Sequence, residues 1–119
     1  MQKIRTVLFY KDYFLEFMSI QRYKVREKML WMIEILEFTG RIPVSYMKHI
    51  EGTKGLYEIR LQQGSDTFRV FCFFDQDNII VFANGFLKKS KKTPIGEIEK
   101  ALKIKQDYER EKQESDNIG

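Results

Sequence analysis

Arg60 and Arg69 sit in the middle of two aromatic-rich segments, residues 56–63 (LYEIRLQQ) and 67–74 (TFRVFCFF). Both segments alternate. Tyr57, Ile59 and Leu61 fall on one face with Glu58, Arg60 and Gln62 on the other; Phe68, Val70, Cys72 and Phe74 oppose Arg69, Phe71 and Phe73. Residues 63–66 (QGSD) supply a turn, so hairpin pairing of the two segments brings both guanidiniums to one face. Two forked guanidiniums side by side match the geometry of a phosphate, and Phe71 or a base can stack on them. Each arginine reads equally as a solvated side chain or as the partner of Glu58 or Asp66.

A second cationic feature follows. Residues 84–94 (NGFLKKSKKTP) hold Lys88, Lys89, Lys91 and Lys92 without an acid, which equals the net charge of +4 on the 119-residue chain. Over residues 1–52, 53–94 and 95–119 the charge runs +3, +3 and −2, so the middle third is basic and the end acidic. A lysine run leaving a strand can hold an RNA backbone, with Phe86 available for base stacking, or it can be a solvated loop. The lone histidine, His49, lies in an irregular segment and reads as a general base or as a surface side chain. Carboxylates show no metal-binding spacing, and neither a Gly-rich phosphate loop nor a nucleophile elbow is present, which disfavours hydrolases of those types. Cys72 is the single cysteine, so no disulfide framework is expected and a reducing compartment fits. Residues 1–13 have too short an apolar patch for a signal peptide or membrane span, and the expected location is the cytoplasm.

The elements that must position these groups follow from periodicity. Residues 4–10 (IRTVLFY) predict an opening strand, Asp12 an N-cap, and residues 13–20 a short amphipathic helix with Phe14, Phe17 and Met18 inward. Val25, Met29, Met32, Ile33 and Leu36 predict a helix over residues 23–39, stopped by Gly40 at C′. Residues 41–54 read as a connection with at most one helical turn around residues 46–50. Three strands follow, over 56–63, 67–74 and 79–83, close enough in sequence for an antiparallel meander. Ile95, Ile98, Ala101, Leu102 and Lys105 predict a closing helix after Pro94, and residues 109–119 a charged, frayed tail beyond a single domain of residues 1–108. The expected class is α+β: a four-stranded, mainly antiparallel sheet in the order β-α-α-β-β-β-α, two helices on one face and the other face partly open.

Three spaced motifs carry a family resemblance: GLYEIRL at residues 55–61, FRVFCFF at 68–74, and IIVFANGFLKKSKKTP at 79–94 with the EIEKA that follows. Together they resemble the HigB-type branch of the RelE/ParE toxin superfamily, a group that includes phage-derived toxin-like proteins, and the likeness covers residues 55–101. It implies a type II toxin: a ribosome-dependent mRNA endonuclease (mRNA interferase) that inhibits translation and arrests growth, and that is silenced by a helix-turn-helix, HigA-like antitoxin. Cleavage in such toxins is independent of metals and cofactors. The ribose 2′-hydroxyl attacks the adjacent phosphate, leaving a 2′,3′-cyclic end. The resemblance assigns Arg60 and Arg69 to the scissile phosphate, Glu58 to the base, and Lys54, Lys88 and Lys89, with Lys91 and Lys92, to RNA anchoring. Two departures accompany it. Asn84 stands where many relatives carry histidine, and Tyr108 is the only late candidate for an acid. Two further readings share the fold: a ParE-like inhibitor of a protein target such as DNA gyrase, and an inactive relative that only binds its antitoxin.

Overall fold

The computed structural model describes residues 2–118; Met1 and Gly119, the outer ends of the expected domain and tail, lie outside the described residues. Eight elements follow in order: β1 (Thr6–Phe9), α1 (Tyr13–Ser19), α2 (Tyr23–Phe38), β2 (Met47–His49), β3 (Tyr57–Gln63), β4 (Asp66–Asp75), β5 (Ile79–Lys88) and α3 (Ile95–Ile118). The class is α+β, and the strands make one mixed sheet in the spatial order β1-β5-β4-β3-β2. β3, β4 and β5 form the antiparallel meander, β1 joins β5 in parallel, and β2 adds to the far edge.

The sheet has five strands rather than the expected four. Residues 47–49 are strand, not a helical turn, and pair Met47 with Ile59, Lys48 with Glu58 and His49 with Tyr57. Three residues carry no readable period, and what holds them extended is the open ladder of β3 rather than local propensity.

Both sheet faces are covered, which explains why β4 is apolar on both sides. On one face, Phe14 of α1 and Val25, Met29, Met32 and Leu36 of α2 pack on Ile59, Val70, Ile80 and Phe82. On the other, Ala101 and Ile104 of α3 close over Leu56, Phe71, Phe73, Val81 and Ala83. Each fully buried large side chain contributes about 1.5–3 kcal/mol. The second face is filled only toward the Asp75 end. Toward the other end exposure rises, with Gln62 exposed and Thr67 and Lys88 half-buried.

Helix ends depart from the simple signals. α2 stops at Thr39, whose backbone is extended (φ −95°, ψ 133°), and Gly40 is not left-handed. The orphan carbonyls are capped from a distance: Arg5 Nη1 donates to the oxygens of Leu36 (3.0 Å) and Thr39 (2.7 Å), and Nη2 to that of Gly40. Asp12 occupies the N-cap position of α1 without a side-chain capping bond. Residues 109–118, expected to fray, continue α3. Lys112 pairs with Asp75, Glu111 lies 3.2 Å from Lys11, and Lys105 with Glu109 (3.0 Å) adds a helical i,i+4 pair.

β5 is longer than the expected 79–83 and contains a bulge. Val70 pairs with Gly85 and Cys72 with Phe82, so Ala83 and Asn84 together oppose Phe71. The extra residue reverses sidedness. Phe86 joins Phe71 on the α3 face, and Gly85 turns toward α1, where a Cβ would lie 2.4 Å from Cδ2 of Phe17.

Candidate functional site

Strand register builds the site as cross-strand rows on the α3 face, at its open end. Arg60 and Arg69 are direct register partners, and Phe86 stands beyond Arg69 in the same row. The next row outward is Gln62, Thr67 and Lys88; the next inward is Lys48, Glu58 and Phe71. Two guanidiniums thus adjoin one carboxylate, with Lys48 beside it in its own row and Lys88 at the far corner of the rows.

Glu58 is 3% exposed, and both its oxygens are engaged. Oε1 lies 3.1 Å from Arg69 Nε and 3.5 Å from Arg60 Nε, while Oε2 accepts the hydroxyl of Thr93 at 2.8 Å. Neither Nε–H is aimed at Oε1, so these are charge contacts without a directed hydrogen bond. Arg69 Nη1 donates to the carbonyl of Phe68 at 3.2 Å. Burial lowers the pKa of Arg69 from its ordinary value, with Glu58 opposing and Arg60 reinforcing the shift. The geometry holds two guanidiniums together that would repel without the carboxylate between them. Arg60 is the accessible member of the pair, with its side chain 39% exposed against 10% for Arg69.

The Thr93 bond also fixes the lysine segment, because residues 89–94 must fold back over the arginine rows for Thr93 to reach Glu58. Lys88 ends β5 within the rows; Lys89, Lys91 and Lys92 are exposed on the return loop. Asn84 secures the far side of that loop: its amide donates to Oε2 of Glu97 (2.9 Å) and to the Glu97 carbonyl (3.3 Å), in the first turn of α3.

Other expected residues are placed elsewhere. Phe86 is not available for stacking: at 8% exposure its ring packs on Phe71 with centroids 5.4 Å apart, because the bulge turns it into the α3 core. Lys54 lines a groove along α3 with Leu102, Lys103 and Gln106, apart from the arginine rows. His49 faces away from them. Its Nε2 lies 3.0 Å from the Thr53 carbonyl, and its ring stands edge-on to Tyr57, which belongs to the α1/α2 side. Tyr108 is at the opposite end of the sheet, where its hydroxyl donates to Asp75; burial, then that carboxylate, pushes its pKa up. Cys72 is fully buried, and burial pushes its thiol up, so it is inert core. Among the described residues no three His, Cys, Asp or Glu side chains gather as a metal-binding cluster.

Two site residues escape a reading of the sequence. Lys48 reaches the Glu58 row only because β2 exists. Thr93, in a Thr-Pro step before a helix, reads as a local helix start, whereas its hydroxyl bonds across to β3.

An α+β chain with this mixed sheet, two helices on one face and a C-terminal helix on the other is consistent with a RelE-like fold. A family model described as Phage derived protein Gp49-like (DUF891) matches residues 16–106, a span that takes in every row of the site. The chain belongs to this Gp49-like phage-derived family, which is part of the RelE/ParE-like toxin superfamily and is related to toxin–antitoxin systems. RelE-type toxins are endoribonucleases, and membership of a toxin–antitoxin family points to an antitoxin as partner. No curated protein matches the chain. No described helix is long and apolar enough to cross a membrane.

Proposed function

We propose that the chain is the toxin of a type II toxin–antitoxin pair, in the HigB-type branch, and that it cleaves mRNA at the ribosome in the cytoplasm. The observation that carries this reading is the register pairing of Arg60 with Arg69 around Glu58, next to a lysine loop strapped down by Thr93.

In the proposed reaction the ribose 2′-oxygen bonds to the adjacent phosphorus, and the bond from phosphorus to the 5′-oxygen breaks. The products are a 2′,3′-cyclic phosphate and a 5′-hydroxyl, the departing 5′-oxygen taking its proton from solvent water. Negative charge builds on the non-bridging oxygens as the fifth bond forms, and the guanidiniums of Arg60 and Arg69 are already in place to receive it. Holding the phosphate in line supplies the rest of the effect, with Lys88 and Lys89 as backbone anchors, Lys91 and Lys92 extending them, and Lys54 contacting ribosomal RNA further along α3. Glu58 takes the 2′-hydroxyl proton once Thr93 releases Oε2; before that it serves to hold the two arginines. No metal or cofactor is required.

A second reading rests on a specific observation: His49 and Tyr108 lie away from the rows and Asn84 is tied to Glu97, so no side chain with an obvious acid role adjoins the arginines. It gives a non-catalytic toxin, either inhibiting a protein target such as DNA gyrase or binding a HigA-like antitoxin alone.

Induced expression separates the two. The nuclease reading expects growth arrest with new mRNA 5′ ends phased to codons, and loss of both in the double variant Arg60→Ala, Arg69→Ala that retains its circular dichroism spectrum. Arrest with intact mRNA overturns cleavage and directs the assay to DNA supercoiling. A short helix-turn-helix reading frame beside this one supports the pairing with an antitoxin.

A further inference from the structure

Burial of Phe86 leaves the proposed site with phosphate donors but no platform for a base. A hollow lies immediately beside the arginines. It is a cavity of about 430 Å³ between α2 and the edge of β3, lined by Lys28, Trp31, Tyr46, Arg60, Gln62 and Arg69 over an apolar floor that includes Met32 and Leu61. It exists because β2 ends its pairing with β3 at Ile59, with one further backbone bond from Arg60 N–H to the Tyr46 carbonyl, so the edge from Leu61 onward is uncovered and the hollow wraps around it.

Three properties define what fits. Every charged lining residue is a cation, and no carboxylate lines the cavity. Two aromatic rings stand at its rim: Trp31 is 42% exposed and Tyr46 40% exposed, edge-on with centroids 6.3 Å apart. Lys28 Nζ sits 4.8 Å from the Trp31 ring centroid, a cation already associated with that indole. Gln62 adds an amide that both donates and accepts, the equipment for a base edge. The volume lies near the lower end of the roughly 300–1,000 Å³ of small-ligand pockets, room for a single nucleoside and not for a duplex.

We infer that this hollow is a base-binding subsite for single-stranded RNA, in which one unstacked base lies against Trp31 and Tyr46 while its phosphate reaches Arg60 and Arg69. The inference rests on the RNA-directed reading above and assigns the stacking role to Trp31 in place of Phe86. An acidic peptide would meet the same cations, but it would leave the exposed indole and the Gln62 amide without matching groups.

Trp31 is the only tryptophan in the chain, so its fluorescence reports on this hollow and on the shallow groove beside it that Trp31 shares with Lys24, Glu27 and Gln63. A single-stranded RNA hexanucleotide is expected to quench it saturably. Duplex RNA and inorganic polyphosphate are expected to leave it unchanged, since neither presents a free base. With a labelled hexanucleotide followed by anisotropy, Trp31→Ala is expected to weaken binding about tenfold or more, the effect of losing one stacked base, and Trp31→Phe to restore most of it. Equal quenching by polyphosphate, unchanged affinity in Trp31→Ala, or a fluorescence response to the antitoxin but not to RNA overturns the subsite. Quenching by RNA without mRNA cleavage in cells keeps the subsite and overturns the nuclease. Cleavage lost in the double arginine variant but unaffected by Trp31→Ala and Tyr46→Ala does the reverse.

Discussion

Glu58 decides how the arginine pair behaves. A carboxylate held against two guanidiniums neutralises their repulsion and fixes their spacing, so its removal leaves like charges facing each other across a hairpin. Glu58→Gln keeps the shape and deletes the charge. It is expected to cost about 2 kcal/mol in urea unfolding, less than the roughly 3–5 kcal/mol for breaking a fully buried pair, because the Arg60 side chain is 39% exposed and partly screened. Unchanged stability would mean that solvent, not Glu58, balances the arginines. The pairing of the arginines was legible from alternation plus a turn, since both positions are fixed by a period of two. Burial of Glu58 was not, because nothing in residues 56–63 announces that Thr93, 35 positions on, bonds to it.

At the scale of elements, β5 shows where reading by period stops working. Residues 79–83 (IIVFA) are a short β-branched and aromatic apolar run recognisable as strand; beyond them Asn84 and Gly85 interrupt the run at the bulge, and the strand looks as if it has ended. β2 was hidden for a different reason, being extended by its neighbour. The covering of both faces had a visible signal in FCFF, where apolar residues occupy successive positions. Gly85 tests the bulge directly. With Phe17 Cδ2 2.4 Å and Cε2 2.5 Å from where a Cβ would stand, Gly85→Ala must displace a packed ring, and a loss of about 1–3 kcal/mol is expected in thermal unfolding. Adding Phe17→Leu makes room and is expected to recover part of that loss; a double variant no better than Gly85→Ala would place the strain elsewhere.

Across the whole molecule, the two ends of the sheet are held by different means. The arginine end rests on the Thr93 strap, and the opposite end on Asp75, which accepts from Lys112 and Tyr108 of α3. Asp75 is held below its ordinary pKa, first by Lys112 and then by Tyr108. A depressed carboxylate pKa contributes stability that is complete above the ordinary carboxylate range, about pH 4, and is lost as pH falls through the lower folded value. Acidification is therefore expected to release the second half of α3 first. Protection against hydrogen exchange over residues 109–118, taken relative to the intrinsic rate at each pH, should fall at low pH in the native chain and at neutral pH in Asp75→Asn, while the arginine end keeps its protection. Equal exchange in Asp75→Asn and the native chain at neutral pH would show that the i,i+4 pairs alone keep this segment helical.

The doubled step at Ala83–Asn84 also governs how this chain may be compared with its relatives. In a relative one residue shorter there, positions beyond the gap would keep the same faces if the gap were placed at the bulge. Yet an alignment that closed the gap a few positions away would exchange Gly85 with Phe86 and assign the lysine of the arginine rows to the opposite side of the protein. The placement of a single gap therefore decides which residues are assigned to the arginine rows as much as the identity of the residues themselves.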